Sequence, residues 1–291
     1  MRIATYASVS VAAVLIVIKV AAFLVTDSVA LLSSLIDSLL DAAASVINLF
    51  AVSQALVPAD REHRFGHGKA EALAGLGQSA FIAGSSVFLL FEAGHRLIDV
   101  HPVHNSAVGV AVMVVSLALT LVLVLFQRTV VRRTGSIAIG ADALHYLGDV
   151  LVNGSVIVSL LLGQEFGWYA LDPIFGIGIA IYIVVNAWMI ARRSLDQLMD
   201  RELSDESRQR IVEIATAHRD VVALHDLRTR ASGTRQFIQF HLEMDPTIQL
   251  ARAHDISDEV EASLLANFPG AEVIIHEDPA GLIEPHRAVT G

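Results

Sequence analysis

Asp37 and Asp41 stand four residues apart in one apolar stretch, and His145 and Asp149 stand four apart in another. Residues at that spacing share a face of an α-helix, so each stretch presents a two-ligand claw. Ionisable groups inside hydrocarbon are costly, and they mark ion pathways or functional sites. A divalent cation shared among all four would relieve that cost. Four ligands including an imidazole suit the tetrahedral preference of zinc, whereas calcium or magnesium takes six or more oxygens and no imidazole. The plainer account is a water-filled cavity, or hydrogen bonds between helices, without a metal.

Two further groups have metal-ligand chemistry. Asp60, His63 and His67 fall in one hydrophilic segment, Asp60-Arg-Glu-His63-Arg-Phe-Gly-His67, which supplies three ligands with a fourth position open to water. A solvated polar loop is the plainer reading. His225, His241, His254, His276 and Asp278 are spread over the last third of the chain. His241 alternates with Phe240 and Leu242, so on a strand it faces away from them, and the same period puts His276 and Asp278 on one side. Surface histidines without a role are the alternative for this set, and that reading is kept for His218, His286, His95, His101 and His104. The chain has no cysteine, which excludes disulfides, thiolate sites and cysteine nucleophiles and leaves oxygen and imidazole as ligands.

The elements that position these groups follow from composition. With 54% hydrophobic and 17% charged residues and a mean hydropathy of +0.59, the chain lies outside the soluble globular range. A bilayer core about 30 Å thick needs roughly 20 apolar residues per helix. Six stretches qualify: Thr5 to Thr26, Val29 to Val57, Ala72 to Ile98, Ala107 to Val131, Ile137 to Leu162 and Ile174 to Ile190. The first exceeds the ~7–15 apolar residues of a signal sequence, so it is expected to be a retained span. Lys19 within it is expected to snorkel or to pair with a neighbouring helix.

Lys and Arg cluster in alternate loops: Arg61, Arg64 and Lys69, then Arg128, Arg132 and Arg133, then Arg192, Arg193 and Arg201. The opposite side holds only Arg96. By the positive-inside rule both termini are cytoplasmic. At about 1.5 Å per residue, Asp37 and Asp41 lie roughly 14 and 20 Å in from Ser28 at the outer face. His145 and Asp149 lie roughly 14 and 20 Å in from Ser136 at the inner face. Antiparallel helices thus bring the two pairs to overlapping depths near the midplane.

From Ser204 the pattern becomes that of a small soluble domain in the order α-β-β-α-β, with a hairpin turn at Ser232-Gly233-Thr234. A three-stranded α+β sheet with helices on one face is expected, in a ferredoxin-like, metallochaperone-like layout. The expected domains are 1–203 and 204–291. The formal charge of −10 is concentrated in the second, where 15 Asp and Glu face 8 Arg and no Lys for a net of −7. That balance argues against nucleic acid as a partner.

The six spans, Asp37-x3-Asp41, His145-x3-Asp149, the run Phe65-Gly66-His67-Gly68-Lys69-Ala70-Glu71 and the segment His225-Asp226-Leu227-Arg228-Thr229-Arg230 together resemble the cation diffusion facilitator family, in its bacterial zinc- and iron-efflux branch. The resemblance covers nearly the whole chain. It implies a transport site at Asp37, Asp41, His145 and Asp149 and a loop site at Asp60, His63 and His67. It also implies a binuclear zinc site at His225, His241, His254, His276 and Asp278 that stabilises a homodimer, formed through the cytoplasmic domain and a membrane interface. Lys69 and Asp200 would form a charge interlock between the domains. Members with His in place of Asp37 are narrower for zinc, so Asp37 implies that Cd²⁺ and Fe²⁺ also pass.

The expected function is export of Zn²⁺ across the bacterial inner membrane in exchange for H⁺, by alternating access, with Zn²⁺ also structural in the cytoplasmic domain. Metal and protons would compete for the same lone pairs. A different cation/proton antiporter would also bury Asp pairs, but it leaves the histidine-rich domain unexplained. A membrane-embedded zinc enzyme would need a nucleophile or general base beside the quartet, and neither that nor an HExxH motif is found.

Overall fold

A computed structural model of the chain describes residues 1–26, 29–98, 107–166 and 171–281. Ser28, His101, His104 and His286 lie outside the described residues, as does the side chain of Arg96. The chain divides into two compact units, Met1–Leu198 and Met199–Gly291.

The first unit holds six helices: α1 (Arg2–Thr26), α2 (Val29–Ala55), α3 (Lys69–Ile98), α4 (Ala107–Thr134), α5 (Ile137–Phe166) and α6 (Leu171–Leu198). Each coincides with one of the expected spans, although α2 stops at Ala55, two residues short of the expected Val57. Several run beyond the apolar stretch, α6 furthest, because a helix satisfies its own backbone and continues into polar flanks such as Arg192-Arg193. Among the described residues, five are long and apolar enough to cross a membrane. The other, α5, has the length but carries Asp142, His145, Asp149 and Asn153. The α4–α5 corner is a two-residue break. Gly135 takes a left-handed φ of 67° and its N–H bonds the Val131 carbonyl at 2.8 Å, a glycine helix stop. Ser136 then caps α5 by accepting from the Ile139 N–H.

Helix α1 packs along α2, α3 along α6, and α4 along α5, while α5 also meets α2, α3 and α6. Small buried residues such as Ala72, Ala138, Ala141 and Ala180 let these backbones approach, as expected where packing rather than hydrophobicity drives association. At Gly75 a Cβ would stand 2.7 Å from Ile137 Cγ2 and 2.9 Å from Ser194 Oγ, so glycine holds α3 close to α5 and α6.

In the second unit, α7 (Asp205–Thr216) precedes strands β1 (Val221–Ser232) and β2 (Arg235–Met244), then α8 (Leu250–Asn267) and β3 (Glu272–Pro279). The α+β order and the three-stranded sheet agree with the sequence reading. Ser204 caps α7, its side chain accepting from the Ser207 N–H, as a serine N-cap does. β1 and β2 form an antiparallel hairpin with Ser232 opposite Arg235, turned at Gly233 with φ of 62°. β3 lies parallel to β2 on its other side, which requires a crossover, and α8 is that crossover. Alternation in β2 sends Ile238, Phe240, Leu242 and Met244 into a core with Ile211 and Ala215 of α7 and Ile256, Val260 and Leu264 of α8. The opposite face of the sheet carries the histidines and acidic side chains, together with Phe237 under the Arg230 guanidinium. Because Leu242 is fully buried, Leu242→Ala is expected to destabilise this unit by about 2–5 kcal/mol, measurable by urea unfolding followed by circular dichroism.

Candidate metal centres

In the helical unit, ligand atoms of Asp41, His145 and Asp149 all lie within 4.8 Å of one another. His145 Nε2 is 2.8 Å from Asp41 Oδ1, so the α2 carboxylate and the α5 imidazole already share a hydrogen bond. Phe81 of α3 meets the imidazole edge-on at 6.0 Å, and Tyr146 flanks it. Tyr146 is itself held by a hydroxyl bond to Ser45 of α2 at 2.8 Å. Three of the four residues expected here therefore converge. Asp37 does not: it stands outside the group and is exposed. Four residues along a helix advance about 6 Å and also rotate about 40°, enough for one carboxylate of the pair to meet α5 while the other does not.

Lys19 pairs with the neighbouring helix, one of the two expectations for it. Its ammonium donates to Ser38 Oγ at 2.6 Å and to the Ser34 carbonyl at 3.0 Å. Asp41, Asp149 and Asp37 lie within electrostatic reach of it.

Sequence reasoning missed Asp142, which is 1% exposed. Its Oδ2 accepts from Ser8 Oγ of α1 at 2.6 Å and from Gln127 Nε2 of α4 at 2.6 Å, and its Oδ1 accepts from Gln78 Nε2 of α3 at 3.2 Å. Gln127 also donates to Ser8. With both oxygens engaged, Asp142 ties α1, α3 and α4 to α5 one turn from His145. The signal was present, since Asp142 falls three residues before His145 on the same helix face.

The loop between α2 and α3 gathers all three of its expected ligands, again within 4.8 Å. His63 Nδ1 and His67 Nε2 each lie 3.5 Å from an Asp60 oxygen, with ring centroids 4.5 Å apart. The N–H groups of His63 and Glu62 donate to Asp60 Oδ1 at 2.6 and 2.9 Å and hold its carboxyl below the usual carboxylate range. Gly66, at φ of 77°, turns the chain between the two histidines.

On the open face of the sheet, register builds the third group. His225 pairs with His241 across β1 and β2, and His241 with His276 across β2 and β3, so three imidazoles stand side by side on three strands. Asp278, two residues past His276, sits beneath them at 6% exposure. One of its oxygens lies 2.7 Å from His241 Nδ1 and 3.4 Å from His225 Nε2, and the other 3.2 Å from His276 Nε2. His225, His241 and Asp278 meet within 4.8 Å. His254 is not among them: it lies on the outer side of α8, 70% exposed, 3.7 Å from Asp258. Two acidic neighbours not foreseen from sequence join the group. Glu243 reaches 3.0 Å from His225 Nδ1, and Asp226 reaches 3.8 Å from His241 Nε2. Asp226 sits at the register shift between His225 and Arg228 with φ of 48°, so a β-bulge turns it onto this face.

His218, read as having no metal role, pairs with Glu259 at 2.9 Å, and Glu259 also binds Arg252. His95 is exposed on α3. Lys69 donates to the Leu198 carbonyl within the first unit, and Asp200 accepts from Arg230 within the second.

Comparison with known proteins gives this geometry a setting. The cation efflux transmembrane domain matches residues 5–199, and the cation efflux protein cytoplasmic domain matches residues 203–280. Cation-efflux pump FieF from Yersinia pestis is 46% identical over 286 residues, 98% of this chain and 95% of that protein. The same holds for FieF from Yersinia pseudotuberculosis. Among solved structures, the transporter CzrB is 34% identical with a TM-score of 0.27, over 27% of this chain and 99% of its own. The metal-bound C-terminal domain of the CzcD transporter from Thermotoga maritima is 24% identical with a TM-score of 0.25, over 28% of this chain and 100% of its own. With both domains matched in order and FieF shared over almost its full length, the chain belongs to the cation efflux (cation diffusion facilitator) family and is a multi-pass membrane transporter, not an enzyme.

Proposed function

We propose that this cation efflux transporter exports Zn²⁺ from the bacterial cytoplasm in exchange for H⁺, with Cd²⁺ and Fe²⁺ as further substrates. The observation that carries the reading is the convergence of Asp41, His145 and Asp149 inside the helical bundle. Two carboxylates and an imidazole suit zinc or a neighbouring transition metal and disfavour an all-oxygen cation. Ligands must shed protons to take a metal, and the hydrogen bond between His145 and Asp41 is where a proton sits when the metal has left. Each arrival of metal then displaces protons, and each departure recruits them, which couples the two fluxes at one site. Asp37 supplies the fourth ligand when α2 shifts against α5 during alternating access.

The remaining assignments are made on the same chemistry. Residues 1–203 carry transport and residues 204–291 carry metal binding and dimerisation, with both termini cytoplasmic in the inner membrane. Asp60, His63 and His67 hold a second Zn²⁺. His225, His241, His276 and Asp278 hold zinc in the cytoplasmic domain. His254, exposed on α8, joins that site in a homodimer, and Lys69 and Asp200 form the charge interlock between domains.

Purified full-length protein in proteoliposomes with an imposed pH gradient tests the coupling. A gradient acid on the side to which metal is delivered is expected to drive Zn²⁺ uphill, and collapsing it with an ionophore should stop uphill movement. Zinc flux indifferent to the gradient would exclude proton antiport, and flux of monovalent cations with none of zinc would exclude the metal assignment.

A further inference from the structure

The arginines that set the topology at the α4 and α6 termini have a second reading. Arg128 and Arg132 of α4 and Arg193 of α6 rim an open cleft of about 420 Å³ between α4, α5 and α6. All three are exposed, and among the described residues none of them makes an ion pair. Below them the wall is mostly apolar, with Val131, Leu144, Leu147, Met189 and Ile190; Asn186 interrupts it, its amide donating to the Tyr182 carbonyl at 2.7 Å, and the cleft reaches as far as Tyr182. From Arg193 to Tyr182 along α6 is about 16 Å at the helical rise, so the cleft is long and narrow with all its cationic charge at one end.

Gly140, Ala143, Leu144 and Leu147 line it from α5. Their three- and four-residue spacing puts them on one face, turned away from the face that carries Asp142, His145 and Asp149. The cleft is therefore separate from the metal centre. A soluble anion would need no apolar wall, and a neutral lipid no arginines. Basic pockets between membrane helices suit anionic headgroups, and guanidinium pairs with phosphate oxygens through paired N–H donors.

We propose that this cleft is a binding site for one anionic glycerophospholipid, its phosphodiester on Arg128, Arg132 and Arg193 and one acyl chain along the α5–α6 wall. Gly140 makes room for the chain, since a Cβ there would meet nothing within 4 Å. Native mass spectrometry of the full-length protein, offered phosphatidylglycerol or phosphatidylcholine in detergent, reads occupancy directly. The unmodified protein is expected to retain phosphatidylglycerol at least tenfold over phosphatidylcholine, and R128Q/R132Q/R193Q to lose that preference. R133Q and R192Q, arginines of the same helix ends that do not line the cleft, should keep it. Gly140→Leu, which fills the cleft and leaves the three arginines in place, should also lose the lipid. Equal retention of both lipids, or an unchanged preference in the triple variant, would overturn the proposal. So would retention by Gly140→Leu together with displacement by inorganic phosphate, which would mark a simple anion site.

Discussion

Asp41→Asn is expected to lower zinc flux in proteoliposomes by at least about 100-fold, the upper end of what loss of a mere outer-shell partner costs a metal site. The substitution keeps side-chain volume, and its amide oxygen can still accept from His145, so the bundle should fold and pack as before. What it removes is one of two negative charges in a group whose ligand atoms lie within 4.8 Å. Without that charge the site offers one imidazole, one carboxylate and a weak amide donor, a poor match for a doubly charged ion leaving water. Protein that is well folded by circular dichroism yet transports at the unmodified rate would remove these residues from the pathway. Asp142 offers a contrasting control. It is bonded on both oxygens, so its loss should weaken thermal stability of the bundle, whereas Asp41→Asn should spare stability and stop transport.

Asp278→Asn is expected to lower zinc affinity of the Ser204–Gly291 fragment at least about tenfold. The fragment holds the complete core formed by β2, α7 and α8, so it can be titrated apart from the membrane domain. Asp278 touches His225, His241 and His276 together, and neutralising it removes the charge at the centre of the three imidazoles. Isothermal titration of both forms at fixed pH decides the point. If the unmodified fragment bound no zinc, the imidazole row would be structural, and a transporter of some other cation would explain the membrane site equally well. If both forms bound alike, the metal would sit elsewhere on the sheet.

The predicted spans were legible because hydrophobicity and helical spacing are local: a run of about 20 apolar residues states its own length and conformation. The αββαβ order was legible for the same reason, from alternation in β2 and the Gly233 turn. The Asp60 loop was legible because its ligands are neighbours in the chain, so little tertiary structure is needed to bring them together. Asp142 escaped attention because pairs four apart were sought, although a third ionisable residue on the same helix was in view. Asp226 was hidden by the bulge between His225 and Arg228, since one inserted residue reverses which face a side chain takes, whereas Glu243 lies two residues past His241 on β2 and strand alternation alone puts it on that face.

By itself, then, the sequence determined the number of helices, the small α+β domain and the residue types able to hold a transition metal, all of which follow from composition and short-range periodicity. Tertiary structure alone decided which of those residues meet. It brought Asp41 but not Asp37 to His145, aligned His225, His241 and His276 across three strands, kept His254 on the outer side of α8, and opened the arginine-rimmed cleft between α4, α5 and α6. The physical reason is that a side chain's direction is set by its own helix or strand, while its partner depends on how two elements rotate and register against each other, and nothing in either segment alone encodes that.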